Sequence, residues 1–183
     1  MTRIEVMKTD KESEITFRNL AQTDFDQWNT IRTIALDIAP VAFGSSNKDE
    51  IPVRKEMFKR NMEKPDHFIL GTFNDDELIG IGGFYRNEQV KVKHKGTIWS
   101  VFVHPDFQGN GIGRKLMSGI LRGAFEIEGL ERILIGASAN NPAAIELYKS
   151  LGFQQYGTEP KCLKHEGKYY DEVLMVLDRA DYH

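Results

Sequence analysis

The sequence predicts an α/β fold in which helices flank a mixed, mostly antiparallel sheet, and three observations carry that prediction. At residue 67 the hydrophobic pattern becomes strand-like, with "HFILGTF", "ELIGIGGFYR" and "KGTIWSVFVH" in succession. Between residues 98 and 138 the order strand, helix, strand implies a right-handed parallel crossover. Finally, 183 residues with 40% hydrophobic and 28% charged side chains are the profile of one soluble domain, taken as residues 1–183.

Residues 1–13 are polar and patternless, so a loose N-terminus is expected there. In "EITFRNL", Ile15 and Phe17 alternate with Thr16 and Arg18, which suits a half-buried first strand. Asp24 precedes Trp28, Ile31, Ile34, Ala35 and Ile38 at helical spacing, and Pro40 ends that helix. "VAFGSSN" reads as a loop and "KDEIPVRKEMFKRNMEK" as one second helix, apolar only at Ile51, Met57, Phe58 and Met62. The three strand-like runs then make an antiparallel meander, the first two joined through "NDD". The third run is apolar at nearly every residue from Ile98 to Val103, as expected of a central strand covered on both faces. A helix begins near Ile112, because Leu116, Ile120 and Ala124 share one row with it and Met117, Leu121 and Phe125 the next. "RILIGAS" is a further buried strand, "NNPAAIELYKSLG" a helix, and "YYDEVLMVLD" a closing strand entered by a hairpin through "KHEGK". The stretch "TEPKCLKHEGKYYDE" reads as loop.

Composition also excludes partners. A formal charge of −3 gives no reason to seek nucleic acid. No apolar stretch approaches the roughly 18 residues that span a bilayer, and "MTRIEVMKTDKESEI" lacks a signal core, so no membrane partner and a cytoplasmic location are expected. The single cysteine, Cys162, has no patterned histidine near it to make it a nucleophile. Neither His nor Cys falls at metal-ligand spacing, so no metal is expected.

The chemistry gathers in "HPDFQGNGIGRKL", where Gly109, Gly111 and Gly113 lie between a strand and a helix. A helix N-terminus presents unpaired N–H groups and a partial positive charge, and glycine lets a ligand approach the backbone and permits positive φ. The stretch is therefore suited to an anion. The dinucleotide spacing fails, because its last position falls on Arg114 or Leu116, and the phosphate-loop spacing fails because Arg114 and Lys115 follow Gly113. A glycine-rich turn that binds nothing stays open at this level.

"VFVHPDFQGNGIGRKLM" resembles the acetyl-coenzyme A binding segment of the GNAT acetyltransferase superfamily, whose Gln/Arg-x-x-Gly-x-Gly/Ala pattern is matched by Gln108, Gly111 and Gly113. About 30 residues on, "NNPAAIELYKSLGF" resembles the superfamily's second signature; together the likeness covers roughly residues 67–177. The resemblance implies a sheet splayed between its two central parallel strands, with a β-bulge near Ser100 to Phe102. It implies that acetyl-CoA, as acetyl donor, lays its diphosphate on the backbone of Gln108, Gly109, Asn110, Gly111, Ile112, Gly113 and Arg114. The pantetheine arm would then pair with Val101, Phe102 and Val103, in the manner of an added strand.

Asn141 reads locally as a helix N-cap ahead of Pro142, and the resemblance adds a contact with the donor. Tyr148 shares a helical face with Ala144 and Leu151, which suits a core residue; the resemblance makes its hydroxyl the acid that protonates the departing coenzyme A thiolate. Arg114 and Lys115 suit either a solvated helix face or a 3′-phosphate contact. For the base that takes the amine proton, His94 at the start of the central strand is the first candidate, because imidazole titrates near neutrality. His104 suits a turn-shaping role, and Glu88 or Glu172 acting through water are alternatives. The activity implied is direct transfer of acetyl to a primary amine of a small molecule or amino acid. Protein N-terminal or lysine acetylation, and a non-catalytic acyl-CoA sensor, are the alternatives. The superfamily often dimerises, which leaves a homodimer open.

Overall fold

The computed structural model describes residues 14–183, so the loose terminus expected at 1–13 lies outside the described residues. Seven strands form one sheet: β1 (Ile15–Asn19), β2 (His67–Asn74), β3 (Glu77–Arg86), β4 (Lys95–Val103), β5 (Arg132–Ser138), β6 (Gln154–His165) and β7 (Lys168–Asp178). Their order across the sheet is β1-β2-β3-β4-β5-β7-β6. Every neighbouring pair is antiparallel except β4 and β5, the crossover pair, which run parallel.

Five helices cover the two faces: α1 (Phe25–Ile38), α2 (Asn47–Glu50), α3 (Arg54–Glu63), α4 (Ile112–Phe125) and α5 (Pro142–Ser150). On one face α4 presses Leu116, Met117, Ile120 and Leu121, none of them exposed, against Ile133 and Ile135 of β5. Burial of side chains of that size stabilises by about 1.5–3 kcal/mol each. On the other face, Trp28, Ile31 and Ala35 of α1 and Phe58 of α3 pack on Ile69, Ile81 and Phe102. β4 serves both layers, Ile98 and Val103 facing α4 while Phe102 faces α1, and this is why its run is apolar almost throughout.

Two expectations are corrected. The second helix is not continuous. α2 ends at Glu50, a turn covers residues 51–53, and α3 starts at Arg54. Pro52 is the cause, since its ring in a helix interior clashes with the carbonyl of the residue four earlier. The stretch "TEPKCLKHEG" is mostly strand rather than loop: it belongs to β6, which pairs along β7 with register breaks between Gln155 and Gly157 and between Glu159 and Leu163. Pro160 and Lys161, at φ 56°, sit in the second break. Such residues are tolerated on an edge strand, which is what β6 is.

No helix of the described residues is long and apolar enough to cross a membrane.

Candidate active site

β4 and β5 are paired over Lys95, Gly96 and Thr97, opposite Arg132, Ile133 and Leu134, and then separate. Beyond that point each strand turns an edge of main-chain groups towards a gap with no strand in it. The register of β4 on its other side, with β3, is broken as well. Gly83 pairs with Trp99 and Ile81 with Phe102, so Ser100 and Val101 together stand opposite Gly82. This is the β-bulge expected there. Ser100 has φ 57°, a left-handed conformation that side chains rarely adopt. One consequence is that Trp99 packs in the α1 layer and Ser100 hydrogen-bonds into the same layer, and only from Val101 onward does alternation resume.

The gap opens into a cleft of about 690 Å³. Its walls include Val101, Phe102 and Val103 of β4 and Ile135 to Ser138 of β5. At its end lies the glycine corner, where Gln108, Gly109, Gly111, Ile112, Gly113 and Arg114 all face the cleft. Gln108 ties that corner to the strand by donating Nε2–H to the Val103 carbonyl, 2.8 Å away. Gly109 and Gly111 have φ of 82° and 74°, and a Cβ on either would meet no protein atom within 4 Å. Conformation favours glycine at both, and the space beside them is free for a ligand. Gly111 is the N-cap of α4 and no side chain caps that helix, so its first N–H groups stay available to an anion. Asn110 is the exception among the residues expected here: it does not line the cleft, and its side-chain N–H points back to the Gln108 carbonyl at 3.4 Å.

α5 closes the other side. Asn141 accepts the Ala144 N–H on Oδ1 at 3.1 Å, the N-cap geometry expected, and also faces the cleft. Tyr148 lines the cleft although only 5% of it is exposed. Among the described residues no side chain or carbonyl accepts its hydroxyl, and burial raises its pKa well above the phenol range, so it stays protonated. Arg114 bridges α4 to α5, donating Nη2–H to the Ser150 hydroxyl at 2.5 Å, while Lys115 is exposed and outside the cleft.

The candidate bases are dispersed. His94 stands at the opposite end of β4 from the cleft, its carbonyl accepting the N–H groups of Glu131 and Arg132. At about 3.3 Å per residue, the run from His94 to Ser100 puts it about 20 Å from the bulge. Only one end of a parallel strand pair splays, and His94 is at the closed end, so it is not positioned as a base at this cleft. Glu88 is exposed on the surface and paired with Lys64. His104 shapes a turn, Nδ1 accepting the Asp106 N–H at 3.4 Å. Glu172 of β7 is different: its carboxylate lies over Gly136, a cleft residue, so closely that a Cβ there would collide with it. It also accepts from the Cys162 thiol, Sγ to Oε2 3.6 Å, and Glu159, Cys162 and Glu172 bring one polar atom each within 4.8 Å of one another.

Sequence reasoning singled out none of Ala39, Ala42 and Phe43, which lie after α1 and form part of the cleft wall. It also missed Arg32, a charged residue buried to 5% exposure whose Nη1–H is 2.8 Å from the Ser100 hydroxyl. The one available signal was an arginine directly beside the apolar Ile31 of that helix.

Residues 28–153 match the sequence profile of the Acetyltransferase (GNAT) family. The chain belongs to that family. Among relatives, it is 37% identical over 78 residues to the L-amino acid N-acyltransferase MnaT of Escherichia coli, covering 43% of this chain and 45% of that protein. It is 40% identical over 143 residues to an uncharacterized N-acetyltransferase, ycf52-like, of Prochlorococcus marinus, covering 75% and 69%. The match to the first of these thus spans less than half of that relative. Among solved structures, yncA of Salmonella typhimurium with its cofactor acetyl-CoA superposes with a TM-score of 0.80 at 25% identity, over 93% of this chain and 96% of that one. In this GNAT chain the splayed strands, the glycine corner and Tyr148 thus meet in one cleft.

Proposed function

We propose that the chain transfers the acetyl group of acetyl-CoA to a primary amine of a small molecule or amino acid, by direct attack in a ternary complex. One observation carries the reading. The gap between β4 and β5 leads without interruption to the uncapped N-terminus of α4, so a ligand with an extended amide arm and a diphosphate can satisfy both. The residues present fit that donor. The β4 edge from Ile98 to Val103 is free to pair with the arm, the N–H groups around Gly111 to Arg114 suit the diphosphate, and Asn141 has an amide nitrogen with no partner among the described residues.

The acceptor enters from the α1 side. Ile38, Ala39, Ala42 and Phe43 give that side an apolar wall, and Glu172 supplies a carboxylate over Gly136. An apolar wall with one carboxylate suits a cationic amine, and the likeness to an L-amino acid N-acyltransferase supports the amino-acid class. The ammonium gives a proton to Glu172, directly or through water. The free amine nitrogen forms a bond to the thioester carbon and the C–S bond breaks. Tyr148 gives its proton to the departing sulfur and is reprotonated by the nitrogen's second proton, while Glu172 returns its own proton to solvent, so one proton is released overall. The raised pKa of buried Tyr148 does not by itself prevent this, because the dry site that disfavours phenolate disfavours a free thiolate as well. No covalent acyl-enzyme is needed.

Thiol release from acetyl-CoA, followed across amino acids, polyamines and aminoglycosides, tests the reading. Turnover with at least one amine is expected. Tight uptake of acetyl-CoA with no turnover on any amine would favour a sensor instead.

A further inference from the structure

Behind the bulge lies a buried ionic network that the proposed chemistry has not used. Arg32 of α1, Glu50 of α2 and Arg54 of α3 are exposed to 5%, 3% and 2%. Arg32 grips Glu50 with two N–H groups, Nε at 3.0 Å and Nη2 at 2.6 Å, and Arg54 lies 3.6 Å from the same carboxylate. Arg54 is held besides by Asn29, Thr33 and Asn47. Two guanidiniums therefore face one buried carboxylate, and the next acid, Asp37, is exposed and engaged by Asn47. The excess positive charge has one outlet towards the cleft: Nη1 of Arg32, donating to Ser100 Oγ at 2.8 Å. The Phe43 ring, 4.8 Å from the guanidinium carbon, covers it from the cleft itself.

Ser100 lines the cleft at the point where β4 parts from β5. Its oxygen is occupied by Arg32, so its own proton must point elsewhere, and no described residue accepts it. A guanidinium on the oxygen withdraws electron density and strengthens that O–H as a donor. No described residue that could act as a base hydrogen-bonds Ser100, so the hydroxyl is a donor and not a nucleophile.

We infer that Ser100 is a catalytic residue: its hydroxyl, polarised by Arg32, donates a hydrogen bond to the thioester oxygen as negative charge develops there. The proton stays on Ser100 throughout, and Arg32 is the positioning residue behind it. This rests on the reading that the cleft holds the acetyl donor. It gives a role to a serine kept in a left-handed conformation, where glycine would be free of strain.

The test uses Ser100→Ala and Ser100→Gly, because removing Arg32 outright strands Glu50 and endangers the fold. Acetyl-CoA labelled with ¹³C at the carbonyl is bound to each protein and its C=O stretch read by isotope-edited infrared spectroscopy, beside kcat and donor Kd. In the wild type the stretch should move to lower frequency than in water. In both variants much of that shift should be lost and kcat should fall about 10- to 100-fold, with donor Kd changed less than about 3-fold. Arg32→Lys should slow the wild type but add nothing to Ser100→Ala. A wild-type stretch and full kcat in Ser100→Gly overturn the inference, including the case where only Ser100→Ala is slow, since that is backbone strain. Failure of the wild type to bind acetyl-CoA overturns the parent reading instead, and this inference with it.

Discussion

The two sides of the cleft are built on different principles. The side proposed to hold the donor, from the β4 edge through Gly109 and Gly111 to the first turn of α4, offers main-chain groups, and its residues are neighbours in sequence. The side proposed to take the acceptor offers side chains gathered from distant segments: Phe43 from the loop after α1, Arg32 behind Ser100, and Glu172 from β7. A ligand shared by many proteins can be met with backbone, which every sequence possesses. Selectivity for one amine has to be made from side chains. Damage to the two sides should therefore separate, donor affinity being lost on one and acceptor turnover on the other.

The largest expected effect falls on the donor side. Gly111→Leu places a side chain at φ 74° in space that is otherwise free, and it should weaken acetyl-CoA binding by more than about 100-fold in calorimetry while circular dichroism stays native. Full-strength binding by this variant would break the comparison at its root. Next is Tyr148→Phe, at the junction of the two sides, which should lower kcat about 100-fold or more with donor Kd unchanged. Burial raises the Tyr148 pKa above its free value, so the fold favours the neutral phenol. That contribution to stability is complete below about pH 10 and is lost as the pH rises beyond. The wild type should accordingly lose stability above pH 10 more steeply than Tyr148→Phe, read by denaturant midpoint against pH.

On the acceptor side, Glu172→Gln should reduce kcat/KM for the amine about 10- to 100-fold and leave donor Kd alone. A fall in donor affinity instead would show that the two sides are not separable. The smallest effect sharpens the same point. Burial first, and the Glu172 and Glu159 carboxylates after it, push the Cys162 thiol up to about 11. At pH 8 about 0.1% of it is thiolate, so labelling by a disulfide reagent should run roughly two orders of magnitude slower than for a free thiol. Glu172→Gln should accelerate that labelling several-fold.

The same contrast explains what the sequence could convey. The glycine corner, the N-cap at Asn141 and the helical rows of α4 are local patterns, and each lies where its pattern placed it. The bulge and the splay were reachable only through the family likeness, because no run of residues spells out which ladder bonds a strand will lack. Arg32, Phe43 and Glu172 act through contacts over long sequence separations, 68 residues for the Arg32 to Ser100 bond, and periodicity carries no trace of them. His94 was misplaced for a related reason: one sequence marks where a strand begins but not which of its ends opens. β6 was hidden by Pro160, which reads as loop until the strand is known to lie on the rim.

The gap between β4 and β5 has a consequence for the protein's lifetime in a cell. Beyond Thr97 and Leu134 the facing edges of two central strands lack a partner, though β3 and β7 pair with their outer edges, and on the proposed reading an acetyl donor seated between them would supply what a further strand would. Ligand binding of that kind adds about 2.7 kcal/mol at one hundred times Kd. If the proposed donor binds there, the folded population, and with it resistance to proteolysis, would follow the supply of acetyl donor, so that the protein would endure longest where donor is plentiful.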